Sequence, residues 1–129
     1  MRCLVVDDSS VIREVARRLL EELRFEVIEA EHGGQALEMC RAKMPDLILL
    51  DRSMPVMNGY EFLLQLRPLV QHHKPLIIYC TIENDHPEAV LARAAGADEI
   101  LLKPFDRQSL AASVAAARHA KRSGLQPAP

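Results

Sequence analysis

The 129-residue chain contains no apolar run that approaches the roughly 20 residues a helix needs to cross a bilayer. Its opening, MRCLVVDDSS, turns acidic too early for a secretory signal. Membrane insertion and export are therefore not expected, and a cytoplasmic location is. Net charge is only -2, which gives no basis for a broad electrostatic grip on nucleic acid, so no DNA partner is expected. Cysteine is sparse: Cys3, Cys40 and Cys80 are odd in number, lack CxxC spacing and each falls in an apolar stretch. Buried free thiols in a reducing compartment are the expected outcome. Five histidines are scattered, and the adjacent pair His72 and His73 has no second pair at metal-ligand spacing, which suits a solvated loop. There is no internal repeat and no linker, so one domain is expected over residues 1–121, with a flexible C-terminal tail, 122–129, that has little to bury.

What is present is a series of short apolar runs, each ending in a polar residue. In Asp46 to Gly59, DLILLDRSMPVMNG, four apolar residues run straight into Asp51. A short run without alternation fits a strand buried on both faces, and Pro55, Asn58 and Gly59 end it. Cys3–Val6, Phe25–Ile28, Leu76–Cys80 and Ile100–Leu102 read as further strands, the second bordered by Glu26 and Glu29 and so nearer an edge. Between them lie helical patterns. Ile12, Val15, Ala16, Leu19, Leu20 and Leu23 follow a cap at Ser9 or Ser10, and Gly33-Gly34 precede a helix bearing Ala36, Leu37 and Cys40. Phe62, Leu63 and Leu66 mark a helix stopped before Pro68. Val90, Leu91, Ala94 and Ala95 mark one capped by Asp85, with Glu88 returning to the cap. The last runs through Leu110, Val114 and Ala117 after a cap at Asp106. Five strands alternating with five helices imply a doubly wound α/β fold with a five-stranded parallel sheet.

The residues just past the strands are Asp7 and Asp8, Glu31, Asp51, Thr81 and Lys103. In a parallel sheet these ends share one rim, so Asp7, Asp8 and Asp51 converge if the first and third strands are neighbours. Two carboxylates roughly 5 Å apart at an effective dielectric near 20 repel by about 3 kcal/mol. Such a cluster needs compensation, and an oxygen-only donor set suits a hard cation such as Mg²⁺. Solvated loop aspartates remain the alternative if strand order separates them. A divalent ion beside a free carboxylate, a hydroxyl and an ammonium suits phosphoryl handling: Asp51 as attacking oxygen, with Thr81 and Lys103 on the phosphoryl oxygens.

The Asp7-Asp8 pair, the D-x-x-M-P-x-M-N-G run from Asp51 to Gly59, Thr81 and Lys103-Pro104-Phe105 together resemble the receiver domain of two-component response regulators, and the TIEND and KPFD stretches are most similar to stand-alone, chemotaxis-type (CheY-like) receivers. The resemblance implies strand order 2-1-3-4-5, flavodoxin-like in class. It implies Asp51 as phospho-acceptor from a histidine kinase, and Mg²⁺ held by Asp8, Asp51 and the main-chain carbonyl of Ser53, with Asp7 acting through water. It further implies Thr81 and Lys103 on the phosphoryl group, a cis Lys103-Pro104 bond, and Ser53 and Glu83 as positions that tune phosphoryl lifetime. Phosphorylation and dephosphorylation would be self-catalysed, so no ordinary enzyme is expected.

Three departures from the family pattern stand out. Ile100 occupies the position where the family often has an aromatic switch residue; Ile82 follows Thr81 where a small residue is usual; and Arg52, next to Asp51, either leans over the acidic pocket or is solvated. The output surface implied is helix four, strand five and helix five, with Arg93, Arg107, Arg118, Lys121 and Arg122 lending it basic charge. An anionic nucleotide ligand there has no compact motif behind it. A monomer is expected, dimerisation on phosphorylation being left open. Two outputs compete: control of a motility target, or relay of phosphate to a histidine phosphotransfer protein, including service as a phosphate sink. A dehalogenase-type phosphatase is disfavoured because Ser53 stands where its second acid belongs. A flavodoxin-type cofactor binder is disfavoured because the DDSS loop repels phosphate.

Overall fold

The computed structural model describes residues 1–83 and 86–122. Five parallel strands, β1 (Arg2–Val6), β2 (Glu26–Ala30), β3 (Leu47–Asp51), β4 (Leu76–Thr81) and β5 (Glu99–Leu102), lie in the order 2-1-3-4-5. Five helices connect and cover them: α1 (Ser10–Glu22), α2 (Gly33–Ala42), α3 (Gly59–Leu66), α4 (His86–Ala94) and α5 (Arg107–Arg122). The doubly wound fold expected from the alternation is the one observed.

The two faces of the sheet follow from the two-residue period of the strands. Leu4, Val6, Ile48, Leu50, Ile77 and Tyr79 point into one core with Leu37, Phe62, Leu63 and Ala92. Cys3, Val5, Leu47, Leu49, Ile78 and Cys80 point into the other with Ala16, Leu20, Leu110 and Val114. Every residue of β3 and β4 is buried, which is why these runs read as continuous rather than alternating. The three cysteines are free and buried; burial pushes the Cys40 thiol up to about 11 and the other two higher still.

Helix ends are set by local chemistry. The Ser9 hydroxyl accepts from Ile12 N, fixing the start of α1, and Asn58 and Glu61 cap α3 reciprocally. The Asp106 carboxylate accepts from Ser109 N at 2.8 Å at the start of α5. Gly33 and Gly34 lie inside α2 rather than before it, because the His32 side chain caps that helix by accepting from Gln35 N. Pro68 sits in a 3-10 turn, Arg67–Leu69, that extends α3. The Asp85 cap and the 122–129 tail, beyond the backbone of Arg122, lie outside the described residues, as do the side chains of Lys121 and Arg122.

Two amphipathic readings are corrected. On α1, Val15 is exposed and Arg13 is buried in its place. The long stem of Arg13 fills apolar space while its guanidinium bonds the Asp7 carbonyl and Glu29. On α4, Val90 and Leu91 face solvent and Ala94 is exposed, while Ala92 and Ala95 form the packed side. Small side chains let this helix sit close to its neighbours, and the larger apolar groups are left outside.

Candidate functional site

The sheet order puts β1 beside β3 at the point where the winding reverses, the place where open α/β sheets expose a crevice. Val6 pairs with Leu50, so Asp7 and Asp51 stand level on adjacent strand ends. Thr81 ends β4 and Lys103 follows Leu102, its partner in register. The ladder continues past the strands: Arg52 N donates to Cys80 O at 2.9 Å and Lys103 N to Thr81 O at 2.8 Å. The result is a cavity of about 320 Å³ lined by Asp7, Asp8, Asp51, Ser53, Thr81 and Lys103, with Arg52, Ile82 and Glu83 on its α4 side.

Asp7 and Asp51 are only 3% and 6% exposed, while Asp8 is exposed, and the three offer carboxylate oxygens within 4.8 Å of one another. Lys103 Nζ donates to Asp7 Oδ2 at 2.8 Å and to Asp51 Oδ1 at 3.0 Å. Asp7 Oδ1 accepts from Ser9 N at 2.9 Å, and Asp51 Oδ1 also accepts from Ser53 N at 3.3 Å. Burial raises the Asp51 carboxyl above the usual carboxylate range, and the Asp7 charge adds to this against the pull of Lys103. Burial alone would lower the Lys103 ammonium, but its two carboxylate hydrogen bonds outweigh that and hold it above its ordinary value. The Lys103-Pro104 peptide bond is cis.

One ammonium against three carboxylates leaves the rim short of positive charge. The donors are hard oxygens with no histidine or cysteine among the three, a set that fits a divalent ion such as Mg²⁺. Because both Asp7 oxygens accept hydrogen bonds, Asp8 and Asp51 offer more open coordination.

Opposite this cluster, the Thr81 hydroxyl accepts from Glu83 N at 3.2 Å and from Arg52 Nη1 at 3.3 Å. Arg52 reaches further: its Nε lies 2.5 Å from Glu88 Oε1 on α4, which also accepts from the Tyr79 hydroxyl at 3.2 Å. Arg52 is thus a bridge and not a solvated side chain. Burial, then the Glu88 carboxylate, pushes the Tyr79 phenol well up. Ile82 is 75% exposed at the rim, and Ile100 is half-buried beside Tyr79 in the sheet.

Beyond Asp51 the chain turns sharply. Met57 N bonds Pro55 O at 2.8 Å around Val56, whose φ is 71° and which is fully exposed. Gly59 then passes so close that a Cβ there would meet Asp51 O at 2.7 Å and the Tyr79 ring at 2.9 Å.

The profile of the response regulator receiver domain family matches residues 3–115 of this geometry's chain. The chain belongs to that family. The receiver is 38% identical over 112 residues to chemotaxis protein CheY1 of Helicobacter pylori, covering 85% of this chain and 90% of that one. It is 34% identical over 105 residues to chemotaxis protein CheY of Bacillus subtilis, covering 81% and 86%. Among solved structures, chemotaxis protein CheY4 of Vibrio cholerae superposes with a TM-score of 0.83 at 32% identity, covering 88% and 95%. The receiver is similar to these single-domain, CheY-like proteins. Receivers are signalling modules rather than ordinary enzymes, and the family generally binds Mg²⁺ at an acidic pocket, where this chain has its aspartate cluster.

Of the residues the sequence singled out, Asp7, Asp8, Asp51, Ser53, Thr81, Ile82, Glu83 and Lys103 line one cavity; Ile100 lies apart, in β5. The arginines expected to lend the output face basic charge are each engaged, and the side chains of Lys121 and Arg122 lie outside the described residues. Arg93 pairs with Glu99 at 3.6 Å, Arg107 with Glu22 of α1 at 3.2 Å, and Arg118 lies 5.4 Å over the Phe25 ring. Sequence reasoning missed Arg13 and Tyr79, and gave Glu88 a capping role without its bridge to Arg52 and Tyr79. A buried arginine is hidden by an amphipathic pattern that expects an apolar residue, and the 36-residue gap between Arg52 and Glu88 carries no periodic signal. Among the described residues no helix is long and apolar enough to cross a membrane.

Proposed function

We propose that this receiver accepts a phosphoryl group from a histidine kinase's phosphohistidine onto Asp51. The observation that carries the reading is the convergence of Asp51, Asp8 and Lys103 in one cavity at the sheet's switch point. An Asp51 carboxylate oxygen attacks phosphorus, the O–P bond forms as the P–N bond breaks, and the imidazole departs. Lys103, already on Asp51 Oδ1, follows the developing charge on the phosphoryl oxygens, and the Thr81 hydroxyl donates to another of them. Asp8, Asp51 and the Ser53 carbonyl would hold Mg²⁺, with Asp7 acting through water; bound there, the ion would neutralise phosphoryl charge. Ser53, Ile82 and Glu83 border the cavity and set how water reaches the acyl phosphate.

The output surface in this reading is α4, β5 and α5, switching to control a protein partner in cytoplasmic chemotaxis or motility signalling. Exposed Ile82, Val90, Leu91 and Leu102 give its α4/β5 part an apolar character, which supports a protein partner more than an anionic one. The relatives named for chemotaxis support the pathway.

Intact-mass measurement after incubation with acetyl phosphate and Mg²⁺ tests the reading. The parent gains one phosphate and Asp51→Asn gains none. Equal gain in both, or gain in neither, overturns it.

A further inference from the structure

A second network leaves the site in the direction opposite to the metal cluster. Arg52 follows the acceptor aspartate directly and shares its cavity, yet its guanidinium is engaged away from Asp51. Nη1 holds the Thr81 hydroxyl at 3.3 Å and lies 3.6 Å from Glu83 Oε2; Nε holds Glu88 Oε1 at 2.5 Å. Glu88 belongs to α4, and the same oxygen receives the Tyr79 hydroxyl from β4. One cation therefore ties the Thr81 hydroxyl, the first turn of α4 and a buried ring of the central sheet. The side chain of Arg52 is 31% exposed and that of Glu88 24%, so water screens the pair only in part.

This arrangement is informative because Ile100, the half-buried β5 residue paired with Tyr79, has no hydroxyl or ring with which to follow Thr81. Tyr79 is the aromatic on that line, and it is bonded to α4 through Glu88.

We infer that Arg52 couples the phosphoryl load on Asp51 to helix α4 by exchanging anions. This rests on the phospho-acceptor reading above. In the resting protein Glu88 holds the guanidinium and Thr81 is held on its α4 side by Arg52 and Glu83 N. A phosphoryl group on Asp51 places a denser negative charge beside Arg52 and offers the Thr81 O–H an acceptor. Arg52 turns to the phosphoryl oxygens, Thr81 leaves its resting partners, and Glu88 loses its cation, freeing α4 and changing the polar environment of the Tyr79 phenol. No bond is made or broken beyond the phosphoryl transfer itself; only ion and hydrogen-bond partners are exchanged.

The composition supplies a probe: the chain has no tryptophan and two tyrosines, Tyr60 and Tyr79. In a Tyr60→Phe background, tyrosine emission reports Tyr79 alone, and a neighbouring carboxylate quenches a phenol that donates to it. Emission is read on the full chain with acetyl phosphate and Mg²⁺, per phosphorylated molecule as counted by intact mass. The parent shows a phosphorylation-dependent change in Tyr79 emission. Arg52→Met and Glu88→Gln both lose that change, and Arg52→Lys recovers it, because the exchange is a contest of charges. A phosphorylated parent with unchanged emission overturns the inference, as does an undiminished change in either neutral variant or no recovery with lysine. Arg52→Met that takes up no phosphate at all also overturns it, since Arg52 would then serve the transfer instead. If the parent takes up no phosphate, the failure belongs to the phospho-acceptor reading and the inference falls with it.

Discussion

Among the described residues, Lys103 is the one side chain that hydrogen-bonds both buried carboxylates of the rim. Removing it leaves Asp7 and Asp51 facing each other without compensation, the costly way to break a buried pair. Lys103→Met should lower unfolding free energy by about 3 kcal/mol in urea titrations without divalent ions, with millimolar Mg²⁺ restoring part of the loss. Asp51→Asn should act the other way. Its raised carboxyl means that folding favours the protonated acid, so the associated stability is lost as pH rises through that value. At neutral pH the charged group weighs against the fold, and the asparagine variant should melt higher in the absence of Mg²⁺, by about 1 kcal/mol. Neither role needed coordinates to be suspected. The two aspartates and the lysine each end an apolar run, and that position was readable. Which oxygen each nitrogen takes was not, because it depends on backbone register across strands distant in sequence.

The β2 edge and the loop after β3 carry the clearest element-scale consequences. Glu29 accepts from Arg17 Nε at 2.7 Å and Arg13 Nε at 3.1 Å, tying α1 to the edge strand. Burial would raise the Glu29 carboxyl, but the two guanidinium partners outweigh it and hold the group below its ordinary value. Its stabilising share is therefore present above the unfolded-chain value of 4.5 and lost as pH falls through the depressed folded one. Glu29→Gln should cost about 1 kcal/mol at pH 7, and parent and variant should converge in acid, as urea melts across pH would show. In the β3–α3 loop, Val56 is a β-branched residue held at φ 71°. Val56→Asn, which tolerates that conformation, should gain about 1 kcal/mol in the same assay. Gly59→Ala should lose about 2 kcal/mol, since its Cβ would strike the Asp51 carbonyl and the Tyr79 ring. The sequence marks this stretch as a turn through Pro55, Asn58 and Gly59, but the positive φ at a valine contradicts local preference and is set by the tertiary frame. The same override explains α4, where the apolar period pointed to Val90, Leu91, Ala94 and Ala95 and packing kept Ala95, added Ala92 and left the other three outside.

At the scale of the molecule, the parallel winding is what turns scattered polar residues into one site. Neighbouring β1 and β3 bring Asp7 and Asp8 to Asp51; β4 and β5 add Thr81 and Lys103 from the other side. Apolar runs, helix caps and polar strand ends were legible because each is local. The Arg52–Glu88–Tyr79 bridge was not, because it joins β3, α4 and β4 through side chains whose spacing has no period. In the proposed function, three carboxylates from separate turns coexist by holding a divalent ion. Titration of the parent and Asp8→Asn with Mg²⁺, followed by backbone amide shifts, tests it most directly. One saturable site per chain, centred on residues 7, 8, 51 and 53, is expected, with affinity reduced about tenfold or more in the variant. Equal affinity in both proteins, or shifts that spare these residues, would contradict it.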